Sequence, residues 1–352
     1  MTGADPAGAD ADPGAAQAAA GLALAADAGI HRLAVPTPFL VGRVNCYLIE
    51  DRPLTLVDTG PNSGKSLDEL EQALGALGHR VEELELIVIT HQHMDHLGLL
   101  EILSRRSGAE VAALDLLTGY LSNFSAGAAQ DDEFAMGVMR RHGVPGDLAT
   151  ALSSVGASFR AFGSSGRVTR PLRDGDRLEF EDRTLEVLHR PGHSPSDTIF
   201  WDRERASLIA GDHLLGHISS NPLVSRPPGD ADPGTERPRA LIQYIASMRA
   251  TRELPLKLVL PGHGDPVTDH VALIDERLRM HERRARKLLG MLADRPLTAY
   301  ELALRMWGNV AVTQAYLTIS EVLGHMDLLT AAGSAIERED GPVVRFEATG
   351  GQ

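Results

Sequence analysis

Apolar residues fall in short runs separated by turn formers over most of the chain. From Ile30 onward "HRLAVP", "NCYLIE" and "LTLVDTG" alternate apolar and polar positions, the pattern of short strands. Ser66 and Glu69 have capping-box spacing ahead of Leu67, Leu70, Leu74 and Leu77, which predicts a helix opening at Ser66. "LELIVIT" is short, apolar and β-branched, as in a strand buried on both faces. A helix is predicted near Leu97 and another strand at "AEVAAL". Asp115 to Phe162 is helical and irregular. Strands then return in "DRLEFEDRTLEVLHRPGH", "TIFWDRERASLIAGDH" and "LKLVLPGHG", while Ser219 to Arg239 is a Pro/Gly-rich loop. Alternating strands and helices indicate an α/β fold.

The pattern changes after Asp269. "VALIDERLRMHERRARKLLGMLAD" predicts a long helix, and Thr298 with Glu301 boxes the start of a second. "TQAYLTISEVLGHMDLLTAAG" predicts a third, stopped at Gly333, and the chain closes in a hairpin. Three helices and a hairpin suggest a winged-helix-like module. The expected organisation is a tail (1–28), a catalytic domain (29–268) and this C-terminal domain (269–352). A winged helix reads DNA with its third helix. Here Gln314 to Gly333 has no Lys or Arg, so the module is expected to be a packing or dimer-forming appendage.

Composition narrows the classes. The 352 residues, 43% hydrophobic, suffice for one large domain or two. A net charge of −14 argues against broad nucleic-acid affinity, and no apolar run is long enough to span a membrane. The single cysteine, Cys46, excludes an intrachain disulfide and reads as a core residue. Residues 1–28 are rich in Ala, Gly and Asp without a Lys or Arg. That predicts a mostly disordered tail with at most a nascent Ala-rich helix, no export signal and a cytoplasmic protein.

Candidate chemistry concentrates where "LELIVIT" ends. "ITHQHMDHLGLL" places His91, His93, Asp95 and His96 within six positions, at a strand end where α/β folds build sites. Further ligand types follow other strand-like runs: His193 in "RPGHSPSD", Asp212 in "IAGDH" and His263 in "LPGHG". Imidazole and carboxylate suit Zn²⁺, and also Fe or Mn.

"THQHMDH", "PGHS", "GD" and "PGHG", in that order, resemble the metallo-β-lactamase superfamily, the αβ/βα sandwich fold of glyoxalase II and its relatives. The resemblance covers roughly Ile30 to Asp269. It implies that His91, His93 and His193 hold one metal, that Asp95, His96 and His263 hold a second, and that Asp212 bridges them. It places Asp58 of "LVDTG" behind the ligands as a positioning carboxylate, and Asp58 and Asp95 are the catalytic candidates. The implied cofactors are two divalent ions, zinc first. The implied reaction is hydrolysis by a metal-bridging hydroxide, with no covalent nucleophile. The tail resembles a branch that includes endoribonucleases and thioesterases.

Family features order the substrates. Class B1 lactamases carry Cys where Asp212 stands, which disfavours antibiotic hydrolysis. A small-molecule ester or acyl thioester ranks first. A phosphodiester or RNA follows, then a lactone. A mononuclear iron persulfide dioxygenase would use only His91, His193 and Asp212, and a DNA-binding regulator ranks last. Tyr120, Phe124, Phe134 and Met136 are candidates for an apolar acyl site, and His213 and His217 for substrate contact. "GPNSGKS" leaves three residues between Gly60 and Gly64, one short of a P-loop. The basic run from Arg277 to Lys287 is expected to form ion pairs on a solvated helix face.

Overall fold

The computed structural model describes residues 13–227 and 237–350. Two sheets pack face to face. The first has six strands in chain order: β1 (Ile30–Val35), β2 (Val44–Ile49), β3 (Thr55–Val57), β4 (Leu86–Ile89), β5 (Glu110–Leu114) and β6 (Arg170–Leu172). It is antiparallel from β1 to β3 and parallel from β3 to β6. The second has five: β7 (Arg177–Glu179), β8 (Thr184–His189), β9 (Thr198–Asp202), β10 (Ser207–Gly211) and β11 (Leu258–Pro261). Only β10 and β11 are parallel in this sheet.

Strand periodicity sorts side chains into layers. Tyr47, Ile49, Val57, Leu86 and Val88 face Leu185, Val187, Phe200, Ile209 and Leu260 between the sheets. The outer face of the first sheet, with Leu33, Cys46, Leu48 and Ile87, is covered by α2 (Gly64–Ala76), α4 (Leu100–Ser107) and α5 (Leu117–Ser122). The outer face of the second, with Ile199, Trp201, Leu208 and Val259, is covered by α8 (Ala240–Arg252) and α9 (His270–Met291). These helix–sheet–sheet–helix layers are the αβ/βα sandwich. With both faces covered, every residue of β2, β4 and β10 is buried.

Further helices are α3 (Met94–Leu97), α6 (Phe124–Arg141), α7 (Gly146–Phe159), α10 (Ala299–Trp307), α11 (Val310–Thr313) and α12 (Ala315–Ala331). With the hairpin β12 (Ala335–Asp340) and β13 (Val343–Ala348), the last three extend α9 into a C-terminal helical unit. Its core also takes Val138, Met139, Val144 and Ala149 from α6, α7 and the turn between them. The insertion at Asp115 to Phe162 is therefore shared between sandwich and C-terminal unit. Thr298 and Glu301 form the capping box at α10. Helix α12 lies buried on most of its surface, against α8, α9 and α10.

Two expectations are corrected. Residues 1–12 lie outside the described residues, but Pro13–Asp27 forms α1 and is not a disordered tail. Its Ala18 and Ala25 are buried, and Gly21 sits against Leu258 and Pro266, so docking on the sandwich orders an Ala-rich segment that composition alone would leave loose. The N-cap of α2 is Ser63, whose Oγ accepts from the Ser66 amide; Glu69 pairs with Arg43. Helix α8 and strand β6 carry no clear sequence signal, because the buried face of α8 includes polar Ser247 and Thr251 while Ile242 and Ile245 lie off it, and β6 has three residues with a central Pro171. Of the long loop from Ser219 to Arg239, residues 228–236 lie outside the described residues.

A Cβ at position 21 would stand 3.0 Å from Pro266 Cβ and 3.3 Å from Leu258 Cδ1. Gly21→Leu is therefore expected to lower stability by about 1–3 kcal/mol. A denaturant midpoint equal to that of the parent would mean that α1 does not dock.

Candidate metal centre

The seven predicted ligands meet at one edge of the sandwich. Strand β4 ends at Ile89, with Thr90 next. His91 to His93 form an extended loop, and Asp95 and His96 lie in α3 immediately after it. His193 comes from the β8–β9 loop, where Asp197 accepts from the Ser194 amide at 2.9 Å and its hydroxyl at 2.7 Å. Asp212 follows β10 and His263 follows β11. Thr198 N–H donates to Thr90 C=O at 3.0 Å, joining the two sheets beside the cluster. Asn45 Nδ2 and Tyr47 Oη both donate to Pro261 C=O, which anchors the His263 loop to β2.

Two glycines are required by close approach. A Cβ at Gly262 would overlap Asp212 Oδ1 and crowd His96 Cε1. Gly192 has φ 155° and faces the Tyr244 backbone with no room for a side chain.

The inner atoms form overlapping groups: His91, His93 and His193; His91, His96 and Asp212; Asp95, His96 and His263. His93 Nδ1 lies 3.0 Å from His91 Nε2 and 2.9 Å from His193 Nε2. Asp212 faces His96 Nε2 at 3.4 Å, His263 Nε2 at 3.5 Å and His193 Nε2 at 3.6 Å, between the two ends of the cluster. Asp95 Oδ2 stands 3.3 Å from His263 Nε2.

The outer nitrogens are tied. Asp58 Oδ2 accepts from His96 Nδ1 at 2.7 Å and from Thr90 Oγ1 at 2.8 Å, and Oδ1 accepts from the Thr90 amide. The Thr90 hydroxyl proton is thus committed to Asp58, and its oxygen accepts from His91 Nδ1 at 2.9 Å. His193 Nδ1 donates to Asn221 C=O at 3.2 Å and His263 Nδ1 to Arg43 C=O at 2.8 Å. Each of these four imidazoles therefore turns a lone pair inward.

This arrangement fits a cation. One proton on His93 Nδ1 can satisfy only one of the two lone pairs facing it. His96 Nε2, His263 Nε2 and Asp212 Oδ1 are buried without a hydrogen-bond partner. Their mutual separations are too long for charge-assisted hydrogen bonds, at about 2.7–2.9 Å, and suit donors around a common ion. Burial, with His96 and His93 adding to it, pushes His91 well below the usual imidazole range. Burial and His193 bring His93 down to about 3. Burial alone would raise the Asp212 carboxyl, but the facing His263 and His96 hold it well below its usual value. Burial alone would lower His96 and His263, but the facing Asp212 raises both above the usual imidazole range, so a cation there takes the place of protons, whereas His91 and His93 are already neutral.

The other candidates separate. His213 is fully buried, with Nε2 2.9 Å from Thr251 Oγ1, and faces α8. His217 is exposed and touches Gly264. Phe124 is buried in the first-sheet core with Tyr120 packed edge-on at 5.8 Å, while Phe134 and Met136 pack on the C-terminal core. These four side chains do not make one wall. An aromatic group that the sequence pattern does not flag lies elsewhere: Phe39 is 5.5 Å from Phe159 and 6.3 Å from Phe162, beside Leu40, which is 93% exposed. Phe39 and Leu40 share the β1–β2 loop with Arg43, the residue that holds His263. In the basic run, Arg279 and Arg283 pair with Glu276, and Arg284 with Glu321. Among the described residues no helix is long and apolar enough to cross a membrane.

Known proteins share this architecture. The chain is 32% identical to a probable metallo-hydrolase, YqjP, of Bacillus subtilis over 316 residues, 89% of this chain and 96% of that one. It superposes with a TM-score of 0.75 on a metallo-β-lactamase family protein, TTHA1429, of Thermus thermophilus, at 26% identity, covering 91% and 99% of the two chains. Over 149 residues, 42% of this chain and 32% of the relative, it is 26% identical to an atrochrysone carboxyl ACP thioesterase of Aspergillus fumigatus. The family model of the metallo-β-lactamase superfamily matches residues 40–263, a span that runs from the β1–β2 loop to the last predicted ligand. With donor clusters able to hold divalent metal within that span, the chain belongs to the metallo-β-lactamase superfamily and is a metal-dependent hydrolase.

Proposed function

We propose that the chain is a dinuclear hydrolase of small-molecule esters or acyl thioesters. The observation that carries this reading is the set of inward, unpartnered donor atoms behind which every outer imidazole nitrogen but that of His93 is anchored. His91, His93 and His193 would hold one ion, Asp95, His96 and His263 the other, and Asp212 would reach both. Zinc is the first candidate, with iron or manganese as alternatives. A bound pair of divalent cations supplies Lewis acidity and a hydroxide at neutral pH.

The chain's own residues do the positioning. Asp58 fixes His96 directly and His91 through Thr90, so one carboxylate sets a ligand of each ion. Asp95 and Asp212 offset cationic charge and lie where they can orient a water. No serine, cysteine or lysine takes a nucleophile's role in this reading; Cys46 is buried in β2 with its thiol pushed up by burial.

Acyl chemistry is favoured by apolar surface. Phe39, Phe159 and Phe162, with Leu40 at the loop tip, form a hydrophobic flank on the loop that leads to Arg43 and His263. The thioesterase among the relatives supports the same class. RNA is the second reading. It is disfavoured because the arginines of α9 are largely engaged by Glu276 and Glu321, and because α12, the helix a winged-helix-like unit would offer to DNA, is enclosed. On this reading the C-terminal unit is a packing or dimer-forming element and the enzyme is cytoplasmic.

Purified enzyme assayed against aryl thioesters, aryl esters, lactones and single-stranded RNA is expected to turn over the thioesters or esters. Activity is expected to vanish on exhaustive chelation, return with zinc, and disappear in Asp212→Ala. Cleavage of RNA alone would replace this reading, and full activity in Asp212→Ala would remove the bridging role.

Asp58→Asn keeps the shape but removes the charge that anchors His96 and Thr90. Metal affinity is expected to fall about 10- to 100-fold. Competition with a chromogenic chelator reads this without reference to turnover, and an unchanged affinity would deny Asp58 its positioning role.

For the flank, Leu40→Asp is expected to raise KM for long-chain acyl substrates while leaving that for acetyl substrates unchanged. An equal effect on both would argue against an acyl-binding surface.

A further inference from the structure

A second donor cluster lies outside the catalytic edge, between α9 and α12. His281 of α9 meets Glu321 and His325 of α12, and one ligand atom from each lies within 4.8 Å of the others. All three residues are buried, His281 and His325 almost completely. Glu321 and His325 are one helical turn apart, so both point from the same face of α12. That face is why α12 carries polar residues in the middle of an enclosed helix.

The geometry is that of two metal-ligating imidazoles. His281 Nδ1 and His325 Nε2 are 3.2 Å apart. Two nitrogens on a tetrahedral zinc, each about 2.05 Å from it, stand roughly 3.3 Å apart. His325 is already oriented: its Nδ1 donates to Glu321 C=O at 2.6 Å, which leaves the Nε2 lone pair facing His281. A hydrogen bond from the outer nitrogen to a carbonyl is the usual brace of a ligand histidine. Arg284 engages Oε1 of Glu321, and a carboxylate has lone pairs enough to serve a guanidinium and a cation together. His281 Nε2 is buried with no partner. An apolar groove lined by Ile242, Ile245, Leu278 and Leu328 reaches His281 from the surface and gives an entry path.

We propose that His281, Glu321 and His325 form a third, structural divalent-metal site of zinc type, pinning α9 to α12. It ties the helix that covers the second sheet to the central helix of the C-terminal unit. Two imidazoles and one carboxylate leave a fourth position for water. The competing arrangement is a metal-free chain in which His281 Nδ1–H donates to His325. The site stands independently of the catalytic reading, since it shares no residue with it.

The test uses the full chain and zinc alone, with metal content measured by mass spectrometry after gel filtration. Triple replacement His91→Ala, Asp212→Ala and His263→Ala disables the catalytic centre; one equivalent of zinc is expected to remain. Adding His325→Gln is expected to remove it. In the otherwise unchanged protein, His281→Gln is expected to lower zinc content by one equivalent and to leave thioester or ester turnover intact at low temperature. Cobalt in the triple variant is expected to give the intense visible bands of a tetrahedral site, lost with His325→Gln. No zinc in the folded triple variant, or zinc retained after His325→Gln, would overturn the proposal. Should the triple variant fail to fold, unchanged zinc content in His281→Gln would overturn it equally.

Discussion

The constraint on which the centre depends is the burial of polar atoms that have no hydrogen-bond partner. His96 Nε2, His263 Nε2 and Asp212 Oδ1 are buried and unpartnered, at positions that hydrogen bonding within the chain could have satisfied with small shifts. Leaving such atoms unpaired costs on the order of 1–3 kcal/mol each, more where charge is involved. The chain does not relax them because the outer side of each ring is already committed. Asp58, itself at φ 59°, accepts three hydrogen bonds and thereby fixes Thr90, His91 and His96 as one unit. Stability is given up at the inner surface so that binding a cation restores it.

The sandwich makes this possible by bringing strand ends together. Ligands leave β4 in one sheet and β10 and β11 in the other, and the Thr198–Thr90 bond fixes the distance between the sheets at that edge. Close approach then depends on absent side chains. Gly262 lets the β11 loop pass against Asp212 and His96, and Gly192 lets the His193 loop seat on Tyr244. The Pro-Gly-His pattern in the sequence is the trace of this steric demand.

What the sequence discloses follows from how local each signal is. Strands β1 to β5 and β8 to β11 are alternating or apolar runs whose spacing suffices to place them, while β7 holds a single apolar residue, Leu178. The seven ligand-type residues stand out because buried strands rarely end in histidine and aspartate. The anchors behind them are largely illegible: Arg43 and Asn221 act through backbone carbonyls, which any residue carries. Composition shows the helical tendency of α1 but not its order, which comes from tertiary contact with Leu258 and Pro266. The true cap, Ser63, is hidden because Ser66 and Glu69 match the same spacing three residues later, while Glu69 turns instead to Arg43. The Phe39, Phe159 and Phe162 group joins residues far apart in the chain and leaves no local pattern.

The C-terminal unit is more than an addition to the sandwich. Asn221 holds His193 through its carbonyl, and its side-chain amide donates to Leu317 C=O on α12 at 3.1 Å. Three residues on, Val224 C=O accepts from Tyr316 Oη of the same helix. The loop that orients one predicted ligand is therefore strapped at two points to α12, and Arg237, near the far end of that loop, makes a bidentate pair with Asp327 at 2.7 Å for each contact. A displacement of α12 would move the Asn221 carbonyl and with it the His193 ring. The enclosed position of α12 is unsuited to reading nucleic acid but suited to holding this loop. A helix gripped by α8, α9 and α10 gives the loop a fixed reference.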